Sequence, residues 1–113
     1  MTLTDLVERF DLKVFTAGNA LGAAVLGGYV SDLLSDVIGH SRKGDLWVTM
    51  QVHQNIVAVA VLKELAAIVL VNGREPAAET LEQARKEGVV VLGTRVAAFE
   101  LVGKLYGMGL RGG

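Results

Sequence analysis

The side chains able to recognise or attack a ligand gather in short polar stretches, each placed directly after an apolar run. Gln51-Val52-His53-Gln54-Asn55 follows Leu46–Met50, Asn72-Gly73-Arg74-Glu75-Pro76 follows Ala67–Val71, and Gly93-Thr94-Arg95 follows Val89–Leu92. Arg74 is suited to neutralising a phosphate or carboxylate, aided by the positive end of the helix expected after it. A surface turn in which Arg74 pairs with Glu75 accounts for the same residues, and both readings stay open. Asn72-Gly73 is a turn signal in its own right, because both residue types accept a left-handed backbone. Thr94 is placed to cap the last helix. With Thr16, which ends the first short apolar run, the candidate ligand-binding set is Thr16, Gln51, His53, Asn72, Gly73, Arg74 and Thr94.

Bond-making chemistry finds less support in these residues. A phosphate-binding P-loop needs spaced glycines followed by Lys and Ser or Thr, so that backbone amides and an ammonium surround the phosphates. Gly18-Asn19-Ala20-Leu21-Gly22 lacks both the spacing and the Lys-Ser/Thr, and in Gly39-His40-Ser41-Arg42-Lys43-Gly44 the basic residues are misplaced. Gly107-Met108-Gly109-Leu110 follows a helical pattern instead of opening one. His40 and His53 are the only histidines, and no carboxylate lies near His53 in sequence, so neither a zinc site nor an oriented general base is expected. Asp32 and Asp36 share a helical face with Ser35 nearby and read as solvated. There is no cysteine, which excludes disulfides, thiolate catalysis and cysteine-held metal. The expectation is a protein that is not an enzyme and needs no cofactor or metal.

The elements that would position these residues follow from periodicity. Thr2 or Thr4 can cap a first helix ending near Phe10, with Leu3, Leu6, Val7 and Phe10 on one face. Leu12–Phe15 reads as a brief strand. Ala23–Leu26, within the Gly- and Ala-rich stretch Thr16–Gly28, fits either a strand or a tight helical turn. Ser31–Ile38 is predicted as a helix capped by Ser31 and stopped by Gly39, with a polar, exposed loop at His40–Asp45. Ile56–Ala66 is predicted as a buried helix. The next helix has Pro76 in its first turn, ends at Gly88 and carries a Glu82–Lys86 surface pair. The last helix presents Ala98, Leu101, Val102 and Leu105 as an apolar stripe, and the glycine-rich tail Gly107–Gly113 is expected to fray.

Strand follows strand at intervals of about twenty residues, which matches a strand plus crossover helix. The runs Ala67–Val71 and Val89–Leu92 do not alternate, so both faces of the sheet should be covered. The fold class is therefore α/β, a mostly parallel sheet with helices on both faces. In such a sheet the polar stretches meet along one strand edge, where open α/β folds bind ligands. Trp47 lies in a strand, in the core or at a dimer surface.

A chain of 113 residues suits one domain, with no internal linker. The formal net charge of −1 and the scattered basic residues argue against nucleic-acid or anionic-membrane partners. Met1–Phe10 lacks a signal-like apolar region, and Ile56–Val71 carries Lys63 and Glu64 in its middle. A cytoplasmic protein without a membrane span is the expectation.

Gly27-Gly28-Tyr29-Val30-Ser31-Asp32-Leu33-Leu34-Ser35-Asp36-Val37-Ile38-Gly39 and Gly44-Asp45-Leu46-Trp47-Val48-Thr49 resemble the small stand-alone DRTGG-domain proteins. Ile68–Pro76 and Phe99-Glu100-Leu101 continue the likeness, which runs from Phe10 to Tyr106. That family is related to the N-terminal domain of HPr kinase/phosphorylase. It also occurs as an accessory domain in some phosphotransacetylases and CBS-containing pyrophosphatases, in regulatory or dimer-forming roles. Stand-alone members occur in anaerobic prokaryotes, some near iron-hydrogenase genes. The resemblance implies a mostly parallel α/β domain without kinase machinery, forming a homo-oligomer (a dimer being favoured). Many members carry Asp-Arg where this chain has His53-Gln54, whereas Asn72-Gly73 occupies the family's Thr/Gly-Gly turn. The function implied is a regulatory or sensor module for a small anionic metabolite, with an assembly module as the alternative. In the latter the Ala17–Gly28 segment supplies the self-associating surface.

Overall fold

A computed structural model describes residues 1–17 and 21–112. The first helix, α1 (Leu3–Phe10), starts where Thr2 and Asp5 cap each other. The Thr2 hydroxyl accepts from the Asp5 amide at 3.3 Å and the Asp5 carboxylate accepts from the Thr2 amide at 2.9 Å. These bonds hold the Asp5 carboxyl below the usual carboxylate range. Leu3 and Leu6 bury the inner face, and Asp11, in the left-handed region, ends the helix.

The chain continues through β1 (Lys13–Thr16), β2 (Gly27–Val30), α2 (Leu34–His40), β3 (Asp45–Thr49), α3 (Asn55–Lys63), β4 (Ala67–Leu70), α4 (Ala78–Glu87), β5 (Val91–Gly93) and α5 (Ala98–Gly107). The strands form one sheet in the order β1-β5-β4-β3-β2. Strands β2 to β5 are parallel to one another, and β1 joins β5 antiparallel. Every residue of β3, β4 and β5 is buried, as the unalternated apolar runs of β4 and β5 predict.

Side chains alternate between two cores. Leu46, Val48, Val69 and Leu92 face α1 and α5, with Leu6, Leu101 and Leu105. Trp47, Ile68, Leu70 and Val91 face α2, α3 and α4, with Val37, Ile56, Val57 and Ala84. Helices thus cover both faces. Trp47 is fully buried, and its indole N–H donates to the Ser31 carbonyl at 2.9 Å, which settles its place as core.

Several boundaries differ from the periodicity reading, each for a local reason. Ala23–Leu26 is neither sheet strand nor helix: Ala24 bridges Thr2, and the Val25 amide donates to the Met1 carbonyl. The strand instead begins at Gly27, where an added Cβ would meet Asp45 Oδ1 at 2.7 Å and the Arg111 carbonyl at 2.9 Å. Helix α2 starts at Leu34 because Ser31 and Asp32 are engaged with β3, and Gly39 lies inside it. The loop after α2 is not uniformly exposed, since Ser41 and Asp45 are buried. Asp45 folds back to accept from the Arg42 amide at 2.8 Å.

Pro76 precedes the N-cap Ala77, whose amide donates to Val52. Gly88 ends α4 at φ 71° as expected. Among the described residues the ion pairs are Lys13–Glu75, His40–Asp36 and Lys43–Glu64, so Glu82 and Lys86 stay apart. The tail, expected to fray, packs as far as Arg111. Leu110 is buried, the Gly28 amide donates to the Arg111 carbonyl, and the Arg111 guanidinium lies 3.7 Å from the Tyr106 ring centre. The glycine-rich stretch read as a self-associating surface includes residues 18–20, which lie outside the described residues, as does residue 113. No helix among the described residues is long and apolar enough to cross a membrane.

Candidate functional site

Parallel alignment of β3, β4 and β5 brings the polar stretches after them to one edge of the sheet. The chain leaves β3 and β4 for α3 and α4 on one face, but leaves β5 for α5 on the other. Where neighbouring connections part to opposite faces, a crevice opens between them. Here that crevice is a cleft of about 450 Å³. Its walls are the turn Gly73-Arg74-Glu75, the turn Thr94-Arg95-Val96, and the junction of α1 with β1 at Phe10, Asp11 and Lys13.

The walls are held by backbone. Asn72 and Gly73 have φ of 58° and 68°, and the Arg74 amide donates to the Val71 carbonyl at 3.1 Å. Two left-handed central residues make this a type I′ turn, the geometry that Asn-Gly favours. Across the cleft, the Asn72 amide donates to Val96 and the Gly73 amide to Thr94. The Thr94 hydroxyl accepts from the Val96 amide at 3.2 Å. Thr94 therefore does not cap α5. Bonds from the neighbouring turn keep residues 94–96 out of the helix, which begins at Ala98 after the N-cap Ala97.

Of the candidate set, Gly73, Arg74 and Thr94 line the cleft, and Asn72 lies beside it with its side-chain amide against Met50 Sδ. Thr16 does not belong with them. Because β1 runs antiparallel, Thr16 pairs with Val91 at the opposite end of β5, where its buried hydroxyl donates to Val89 and accepts from the Val91 amide. Lys13, at the other end of β1, takes its place at the cleft. Arg95 is the other residue missed, although it stands beside Thr94 in a stretch already marked as polar. Arg74 and Arg95 are both exposed and neither has an ion-pair partner among the described residues.

Gln51 is at the same edge but is committed to the fold. Its side-chain amide donates to the Asp32 carbonyl at 2.9 Å. The Asp32 carboxylate accepts from both the Thr49 hydroxyl and the Met50 amide at 2.7 Å. Asp32 is thus no solvated helical residue, as spacing alone suggested, but a tie between the end of β3 and the turn after β2. Asp36 is also engaged: the Tyr29 hydroxyl donates to it at 2.8 Å, lowering the Asp36 carboxyl and raising the Tyr29 phenol from their ordinary values.

His53 is exposed and lies away from the cleft, in a shallow depression of about 340 Å³ shared with Gln54, Asn55, Ala77 and Glu79. The fold brings Glu79 into its neighbourhood, a carboxylate remote in sequence, without ion-pair contact. Another hollow, about 590 Å³ between α3 and α4, is walled by Val57, Ala58, Val61 and Leu62 together with Gln54, Asn55, Gln83 and Glu87. It offers an apolar surface and no cation.

The sequence matches no protein-family model and no curated protein. The fold does have a solved counterpart, the CBS and DRTGG domains of the regulatory region of Clostridium perfringens pyrophosphatase, crystallised with the activator diadenosine tetraphosphate. The similarity covers 89% of this chain and 44% of that one, with a TM-score of 0.69 and 15% identity. The chain thus spans less than half of the counterpart, and at that identity the likeness is one of fold.

Proposed function

We propose that the protein is a non-catalytic regulatory module that binds a small anionic ligand, a nucleotide or phosphorylated metabolite, in the cleft between the turns after β4 and β5. The observation that carries the reading is the convergence of two arginines, Arg74 and Arg95, without ion-pair partners among the described residues, at the point where the sheet's connections part. Such side chains are ready to form charge-assisted hydrogen bonds to phosphate oxygens at little cost to the fold. The fold shared with a regulatory region that holds a nucleotide activator supports the same reading. On this view the chain is a cytoplasmic relative of the DRTGG and HPr kinase N-terminal domains, and the cleft senses instead of reacting.

The test is a thermal-shift screen of nucleotides and phosphorylated metabolites against the wild type, Arg74→Ala and Arg95→Ala. A ligand that raises the wild-type midpoint but not that of either variant supports the site. Equal stabilisation of all three proteins, or of none, removes it.

An assembly module is the second reading, favoured by the α3 surface, where Val61 and Leu62 are 45% and 65% exposed beside the apolar hollow. Light scattering decides it. A monomer at high protein concentration excludes self-assembly, whereas a dimer that dissociates on Leu62→Glu supports it.

A further inference from the structure

Within the cleft, Glu75 carries the charge that opposes the ligand Arg74 and Arg95 would hold. Its Oε1 lies 3.6 Å from Lys13 Nζ, so the pair links the turn after β4 to the edge strand β1 across the cleft mouth. The two side chains are 66% and 71% exposed, which makes the pair weak and readily exchanged. Lys13 makes a second contact at the same time, its ammonium lying 4.9 Å from the centre of the Phe15 ring. The charges lining the cleft are Lys13, Arg74 and Arg95 against Asp11 and Glu75, three positive and two negative.

We infer that the Lys13–Glu75 pair is an exchangeable latch at the cleft mouth, one that favours ligands with two or more negative charges. The inference rests on the reading of the cleft as an anion site. A phosphate beside Arg74 repels the adjacent Glu75 and attracts Lys13, so the pair opens and Lys13 turns to the ligand. A monoanion meets only the small residual positive charge and gains too little to open the pair. A dianion or polyanion gains Lys13 as a third cation and ties β1 to the turns after β4 and β5. Glu75 thereby sets the affinity, and Lys13 registers occupancy at the edge of the sheet.

The test is calorimetric titration of the intact chain with inorganic pyrophosphate, and with acetate as a monoanion. The proteins are the wild type, Glu75→Gln, Lys13→Met and the double variant. Both positions are exposed, and circular dichroism verifies each fold. Glu75→Gln is expected to bind pyrophosphate about 3- to 10-fold more tightly and Lys13→Met about as much more weakly, with acetate far weaker throughout. In the Lys13→Met background the gain from Glu75→Gln should be smaller than in the wild type, because relief of the Glu75–phosphate repulsion remains but no lysine is left to release. An equal gain in both backgrounds, no gain at all, or acetate binding as tightly as pyrophosphate overturns the latch while leaving the anion site standing. If neither the wild type nor Glu75→Gln binds pyrophosphate, the anion site and the latch fall together.

Discussion

The strand edge holds two polar regions built on opposite terms. Beside β2 and β3, Asp32, Thr49, Met50 and Gln51 bond to one another through side chains and backbone. Beside β4, β5 and β1, the backbone bonds join turn to turn, while Arg74 and Arg95 extend from them without partners among the described residues. In the first region side-chain polarity holds the fold together. In the second, backbone bonds join the turns, aided by the Thr94 hydroxyl accepting from the Val96 amide, and the arginine side chains are left for something else. Clustered polar residues therefore do not mark a ligand site by themselves. What marks one is charge whose removal costs the fold nothing.

Mutation can break that contrast. The largest stability effect is expected for Asp32→Ala, which strips the Thr49 hydroxyl and Met50 amide of their acceptor and should cost about 2 kcal/mol in urea unfolding. Asp32→Asn retains an acceptor oxygen and should recover most of that loss. If Asp32→Ala is as stable as the wild type, the region beside β3 is not a structural tie and the contrast collapses. Next comes Arg95→Ala, for which the effect reverses. Unfolding should move by no more than about 0.5 kcal/mol, while pyrophosphate binding weakens about tenfold, equivalent to about 1.4 kcal/mol. A variant that unfolds easily would show that Arg95 belongs to the fold instead.

Gly73→Ala addresses the backbone of the open region. The φ of 68° suits glycine, and a Cβ there would meet only Arg95 Cγ, at an unstrained 3.8 Å. The cost should be the left-handed backbone alone, about 1 kcal/mol, with Gly73→Asn milder because asparagine tolerates that conformation. Equal costs for the two variants would point to a steric demand at the turn that the structure does not contain.

The same contrast explains what could be read from the chain. The apolar runs around Ile68 and Val91 need no tertiary information, since burial on both faces leaves them unalternated. Asn72-Gly73 carried its turn type locally. The direction of β1 had no such signal: four residues, Lys13–Thr16, look alike whichever way they run. From sequence Thr16 therefore reads as belonging to the cleft end of the sheet, and nothing in the chain marks Lys13 as the residue that stands there. Thr94 misled for a related reason. A threonine before a helical pattern suits a cap, and only bonds from Asn72 and Gly73, more than twenty residues away in sequence, withdraw it into a turn. Asp32 read as solvated because its partners, Thr49 and Met50, lie 17 and 18 residues on. In each case the deciding interaction was long in sequence and short in space.

His53 gives the smallest expected effect and the sharpest boundary to the site. Its side chain is exposed and lies outside the cleft, and its backbone carbonyl accepts from the Ile56 amide whatever the side chain is. His53→Ala should therefore shift unfolding by less than about 0.5 kcal/mol and leave pyrophosphate affinity unchanged. Histidine at a strand end, beside Gln54 and Asn55, looks like ligand chemistry in the sequence, so this variant separates resemblance from geometry. A clear loss of anion binding in His53→Ala, with the fold intact, would extend the site from the cleft across the N-termini of α3 and α4. Glu79, which shares the depression, would then be the next residue to change. An unchanged titration confines recognition to the turns after β4 and β5 and the start of β1, where Arg74 and Arg95 have no ion-pair partner among the described residues and Lys13 is only loosely paired.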